Sequence, residues 1–288
     1  IVGGEKYKAD AVILACGGFE ANNKLREEEF GLDWNKAKVR GTPHNTGDGL
    51  TMAFALGAQR YGKFDGCHAT PMDLHMKDFG NLGIPPKQRK NYRKICYFLG
   101  VMLNAYGSRF VDEGKNFRNY TYAQFGRAVL EQPEHFAWQI FDSKVFDLLY
   151  EEYRTEDASF VEAGSLEELV AKLSGVDRIQ ALKTLNDYNA AVDNNVAFNP
   201  TILDGKATKG LSLNKTNWAQ KLDTPPYRAF PVTGGITFTY GGVKVDTQGC
   251  VISENNTAIE GLYACGEMVG GVFFGGYPGC LLYTSPSP

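Results

Sequence analysis

The sequence predicts an α/β protein in which a strand-rich, glycine-bearing domain is interrupted by a second, mixed α+β domain. Three observations lead there. Strand texture occurs at both ends, in AVILA at 11–15 and in ITFTY at 236–240. The middle, from about 120 to 195, has mainly helical apolar periodicity. Glycines come in pairs directly after strand-like runs, where the backbone must approach something closely.

The elements follow in order. Residues 10–18 read as a strand running into Gly17-Gly18, and Asp48-Gly49 open a short helix from Leu50 to Leu56 that Gly57 stops. Pro85-Pro86 and the basic run after them mark a polar loop, which Lys87, Arg89, Lys90, Arg93 and Lys94 make either a solvated surface or a lure for a polyanion. Phe98 to Leu103 reads as a strand. Ser165 with Glu168, and Asp177 with Gln180, have capping-box spacing ahead of two apolar helical runs. Residues 199–230 read as irregular, with strands resuming from Gly234 as ITFTY, a hairpin over GGVKVDTQGCVI, and AIEGLYACGE. The aromatic cluster Phe117, Tyr120, Tyr122 and Phe125 reads as core packing.

Composition excludes several functions. With 288 residues, 43% hydrophobic and 22% charged, the chain is too apolar for disorder. A net charge of −3 offers no basic field for nucleic acid. No apolar run reaches the ~18 residues of a membrane helix; a cytoplasmic location is expected, and the missing signal peptide says nothing either way because the true start need not be present. The 6 cysteines are scattered without a CxxC, which argues against zinc and a disulfide scaffold. His75 and Cys67 complete no metal set.

Four phrases then stand out together: ACGGF at 15–19, NTGDGLTMAFALGA at 45–58, RFVDEGKNFR at 109–118, and GLYACGEMVGG at 261–271 followed by GGYPG. In this order and spacing the chain resembles the flavoproteins of the fumarate reductase, succinate dehydrogenase and ketosteroid dehydrogenase family. VRGTPHNTGDG, FVDEGKNFRNYTYA and NWAQKLDTPPY are most similar to its FAD-dependent tricarballylate dehydrogenase branch. The resemblance implies a discontinuous, Rossmann-like FAD-binding domain at 1–63 and 233–279 around a capping domain at 64–232. No GxGxxG occurs, so it also implies a fragment lacking its first phosphate-binding turn and a closing helix. Residues 280–288, CLLYTSPSP, match one reading frame of a sequencing-library transposon end and are expected to be non-native.

The resemblance further implies which residues act. Ala15, Cys16, Gly17 and Gly18 would lie against FAD, with Cys16 where the family has Thr. Asp48, beside Gly49, would accept hydrogen bonds from cofactor hydroxyls. Glu267, beside Gly266, would hold the ribityl and phosphate region. Arg118 falls on the proton-transfer arginine and His68 on a substrate-carboxylate histidine, although a lone Arg or His is as readily structural. Thr237 (or Phe238) and Tyr277 stand where fumarate reductases place a second substrate histidine and an arginine. Their proton relay, which would fall near Arg93 and Cys96, is not reproduced. The implied activity is FAD-dependent oxidation of a carboxylic acid, tricarballylate to cis-aconitate, with an electron acceptor that the sequence does not specify. The alternatives are enoate reduction, 3-ketosteroid dehydrogenation, or a catalytically inert fragment.

Overall fold

A computed structural model describes residues 4–77 and 92–277. In chain order the elements begin β1 (Val12–Leu14), α1 (Asn23–Phe30), β2 (Lys38–Val39), α2 (Asp48–Ala55), β3 (Arg60–Tyr61), β4 (Cys67–Asp73) and β5 (Val101–Leu103). There follow α3 (Arg118–Leu130), β6 (Phe136–Asp142), β7 (Val161–Ala163), α4 (Leu166–Lys172) and α5 (Arg178–Ala191). The chain closes with β8 (Tyr227–Thr239), β9 (Gly242–Val243), β10 (Cys250–Ile252) and β11 (Ala258–Ala264). Contacts divide these into two compact units. Of the described residues, the first takes 4–35, 42–68 and 237–275, and the second 36–41, 69–77, 92–236 and 276–277.

The first unit holds a sheet ordered β1-β11-β10, in which β1 runs parallel to β11 with Leu14 opposite Ala264, and a small β3–β9 pair. Leu14, Phe19, Leu50, Ala53, Val251, Leu262 and Met268 close its core. Asn22 caps α1 by accepting from the Leu25 N–H.

The second unit is built on β8. This strand pairs in parallel with β2 and antiparallel with β6 and β7, and β5 extends the sheet beyond β6. Helices α4 and α5 pack on it through Leu169, Leu173, Leu185 and Tyr188. Both expected caps form, Ser165 accepting from the Glu168 N–H and Asp177 from the Gln180 N–H. Helix α3 lies directly on β4, since a Cβ on Gly126 would come within 2.4 Å of the Ala69 carbonyl carbon.

Two expectations are corrected and one is refined. The middle is mainly helical, as expected, but it also contains FAWQIFD as the strand β6, whose burial along its whole length leaves no in–out alternation to mark it. Phe98–Leu103 is not one strand but a 3-10 turn at Tyr97–Leu99 followed by β5, because Gly100 passes too near the Ile140 carbonyl for any side chain. Strand β8 starts at Tyr227 rather than near Gly234, and it runs through Pro231 and Gly234-Gly235, residues that ordinarily argue against a central strand.

Candidate functional site

In the first unit, three stretches distant in sequence meet. Residues Ala15–Gly18 leave the end of β1, Asp48 and Gly49 begin α2, and Gly266–Met268 form a 3-10 turn after β11. Their contact is tight. A Cβ on Gly49 would sit 2.1 Å from the Cys16 sulfur, and one on Gly18 would sit 2.1 Å from Thr239 Oγ1 and 2.3 Å from Glu267 Oε1. Ala15, Cys16, Cys265 and Gly266 remain exposed at the carboxyl ends of β1 and β11, and the space above Gly266 is open. Asp48 is exposed in the first turn of α2, where its Oδ2 accepts from the Thr46 hydroxyl at 3.0 Å.

Glu267 faces inward. Its Oε1 accepts from the Thr239 N–H at 2.7 Å and from the Thr239 hydroxyl at 3.2 Å. It also hydrogen-bonds with Glu20, a buried carboxyl that accepts from the Asn45 amide at 2.5 Å. Burial, and then the charge of Glu267, push the Glu20 carboxyl up to about 8. Burial raises Glu267 as well. Both carboxyls are thus pushed toward their protonated forms. Glu20 is a site-shaping residue that sequence reading missed; an acid two residues after the glycine pair was its only signal.

His68 and Thr237 also belong to the first unit. The His68 ring is buried and stacks on Phe238, centroids 5.1 Å apart. Thr237 keeps its Oγ1 buried with no hydrogen-bond partner among the described residues.

Arg118 and Tyr277 lie in the second unit. Arg118 is the first residue of α3, a 13-residue helix with no side-chain N-cap and no acid in its first turn. A cation there opposes the positive end of the helix dipole, so local structure does not explain its placement. Its guanidinium lies 4.8 Å from the centre of the Tyr150 ring and makes no ion pair among the described residues. It lines a cavity of about 380 Å³ with Phe98, Phe117, Tyr120, Tyr150 and Trp218. The aromatic cluster is thus split. Tyr122 and Phe125 are core, as expected, whereas Phe117 and Tyr120 line this cavity. Tyr277 is buried with its ring edge-on to Tyr122 at 6.4 Å.

The RFVDEG phrase proves to be a clasp. Arg109 and Glu113 pair at 2.5 Å with both side chains buried, and Glu113 Oε1 also accepts from the Met102 N–H at 2.8 Å. Burial opposes the Arg109 charge, but the Glu113 carboxylate outweighs it and holds the guanidinium above its usual basicity. Asp112 takes the N–H groups of Gly114 and Thr216. Lys215, fully buried, donates to the carbonyls of Phe98 at 2.8 Å and Gly100 at 2.6 Å, and desolvation lowers it to about 8. This network steadies the segment that leads into Arg118.

Two other expectations change. Lys94 is neither solvated nor open to a polyanion: it is buried, 3.4 Å from Asp73, and donates to the Glu152 carbonyl at 2.7 Å. Arg93 pairs with Glu152 at 2.9 Å. Lys87, Arg89 and Lys90 lie outside the described residues, as do Pro278, Gly279 and 280–288. The Cys96 thiol, pushed up to about 12 by burial, is unfit to relay protons. Among the described residues no group of three or more His, Cys, Asp or Glu is placed to hold a metal, and no helix is long and apolar enough to cross a membrane.

The sequence pattern of the FAD binding domain family matches residues 3–280. The chain belongs to this family. It is 31% identical over 268 residues to a fumarate reductase (cytochrome) of Shewanella frigidimarina, covering 92% of this chain and 41% of that protein. Among solved structures, the open conformation of a flavocytochrome c3 fumarate reductase superposes with TM-score 0.64 at 27% identity, over 92% of this chain and 42% of the other. A 3-ketosteroid Δ1-dehydrogenase from Sterolibacterium denitrificans also gives 0.64, at 26% identity, over 91% and 48%. The chain thus spans two fifths to one half of the length of these relatives.

The family is one of FAD-dependent oxidoreductases acting on CH–CH bonds, on a mixed α/β fold resembling the FAD-binding domain of flavoenzymes. The first unit fits such a cofactor. Two parallel strands present small exposed residues at their carboxyl ends, where α/β sheets take ligands, and α2 begins beside them with an exposed carboxylate.

Proposed function

We propose that this chain carries the reacting residues of an FAD-dependent dehydrogenase that converts a carboxylic acid to its α,β-unsaturated form. When bound, FAD would supply the hydride acceptor. Ala15, Cys16, Gly17, Gly18, Asp48, Gly49 and Gly266 would hold it, with Glu267 bracing the Gly17-Gly18 turn from behind. On this reading, 1–63 and 233–279 form the cofactor domain and 64–232 the capping domain.

The observation that carries the proposal is Arg118. A guanidinium with no ion pair among the described residues, at an uncapped helix start and beside aromatic rings, is suited to receive an anion. Arg118 would bind the substrate carboxylate and manage the proton of the neighbouring carbon. The sequence resemblance assigns substrate contacts to His68, Thr237 and Tyr277 as well.

The specific reaction carried by the sequence resemblance is tricarballylate to cis-aconitate. Desaturation of a 3-ketosteroid is the second reading, supported by the buried Tyr277–Tyr122 pair in place of an arginine. Turnover of tricarballylate, fumarate and a 3-ketosteroid by the full-length, FAD-loaded protein separates them. Arg118→Gln should lower turnover of the acid by about 10²–10⁴-fold, the usual scale for a lost proton-transfer group. Unchanged turnover in that variant would overturn the role of Arg118.

A further inference from the structure

Glu20 stands where the three stretches that meet in the first unit are joined. It is buried, two residues after the Gly17-Gly18 turn, and its carboxyl accepts from the Asn45 amide at 2.5 Å. Asn45 lies against that turn: a Cβ on Gly17, whose φ of +80° already favours glycine, would sit 2.6 Å from the Asn45 Cγ. The loop of Asn45 opens α2 and is tied to the same strand end. The Asn45 carbonyl accepts from the Ala21 N–H at 2.9 Å, and the Gly47 N–H donates to the Gly18 carbonyl at 3.0 Å. Glu20 also hydrogen-bonds with Glu267, the carboxyl that a Cβ on Gly18 would meet at 2.3 Å. Two charged groups face Glu20 from the surrounding elements. One is Glu267, on the turn after β11. The other is Arg26, on α1, whose guanidinium donates to the backbone carbonyls of Glu20 and Asn35, each at 3.0 Å. Asn45 and Thr239, from the α2 loop and the end of β8, are neutral.

We propose that neutral Glu20 is a positioning residue that holds the Gly17-Gly18 turn in the shape that takes the cofactor, and that its ionisation weakens the hold on FAD. The proposal rests on the reading that Ala15–Gly18, Asp48 and Gly266 hold FAD, and it adds what keeps them in register. A protonated carboxyl is a donor as well as an acceptor. The donor serves Glu267, because their hydrogen bond favours the proton on Glu20 and the charge on Glu267. The acceptor serves Asn45. Neutral Glu20 thus ties the loop before α2 and the turn after β11 to one strand end. Burial and the Glu267 charge push the Glu20 carboxyl up to about 8, so the neutral form dominates at pH 7. Losing the proton sets two carboxylates against each other in the interior, where like charges repel strongly. For the two to part, the glycine turn must shift, because Asn45 lies against Gly17 and Glu267 against Gly18.

Titration of the full-length protein with FAD, followed by flavin fluorescence across pH, tests this. With binding confined to neutral Glu20, the apparent affinity should fall about ten-fold from pH 7 to pH 9, as the neutral fraction does around a midpoint near 8. Glu20→Gln stays neutral and can still donate and accept. It should match the parent at pH 7 and keep that affinity at pH 9. Glu20→Leu can do neither and should bind FAD several-fold more weakly at both. Without FAD, an infrared band of a protonated carboxyl should fade in the parent with a midpoint near 8 and be missing from Glu20→Gln. An equal fall of affinity in the parent and Glu20→Gln would overturn the proposal and leave the cofactor residues standing. Loss of the parent's circular dichroism by pH 9 would also overturn it, since the effect would then be global unfolding. If Asp48→Ala and Glu20→Leu both leave FAD affinity at pH 7 untouched, the reading of the cofactor site falls, and the proposal with it.

Discussion

Glu20 and Glu267 set the chemistry of the first unit at the residue scale. A carboxyl whose folded pKa lies near 8, against about 4.5 unfolded, binds a proton in the native state that the unfolded chain has released. Stability is therefore greatest below pH 4.5 as far as this group is concerned, falls as pH rises towards 8, and levels above it. Glu20→Gln should remove that decline and make the protein more stable than the parent at pH 9, by a few kcal/mol, in urea titrations run across pH. A parallel decline in both proteins would refute the raised Glu20 carboxyl. Gly18→Ala should cost about 1–3 kcal/mol, because its methyl would meet Thr239 and Glu267. The glycine pair at 17–18 and the acids Asp48 and Glu267 were legible in the sequence. The partnership with Glu20 was not, since nothing local distinguishes a buried, protonated glutamate from a surface one.

At the scale of elements, α3 is placed by a missing side chain and a buried ion pair. Gly126→Ala replaces a poor helix former with the best one, worth ~1 kcal/mol on propensity alone. It should nevertheless destabilise, because the added methyl meets the β4 backbone at Ala69 and Thr70. Glu113→Ala should cost about 3–5 kcal/mol, as it strands Arg109 in the interior and frees the Met102 N–H. If chemical denaturation shows a loss below 1 kcal/mol, the clasp is not structural. The caps of α4 and α5 were readable because their signal is local, a side chain and an N–H three residues apart. Strand β6 and the full length of β8 were not. Their burial on both faces and the tolerance of Pro231 come from the neighbouring strands, which no window along the chain contains.

For the whole molecule, the two units have separate cores, around Leu50, Val251 and Met268 in one and around Trp138, Leu169 and Leu185 in the other. Denaturation should accordingly show two transitions. Gly18→Ala should move one of them and Glu113→Ala the other, and a single coincident transition shifted by both variants would show one cooperative body. Several glycines whose pairing hinted at a cofactor serve these cores instead. Gly234 lets α3 touch β8, and Gly270 lies against the Tyr61 carbonyl. By itself, the sequence determined the family, the cofactor class and the residues to watch, because those signals are residue types at fixed spacing. Only the tertiary structure decided that RFVDEG is a clasp, that Lys94 and Cys96 are sealed inside, and that Arg118 stands beside aromatic rings with no ion pair among the described residues. Charge balance and burial depend on what the rest of the chain brings alongside, and that is a property of three dimensions.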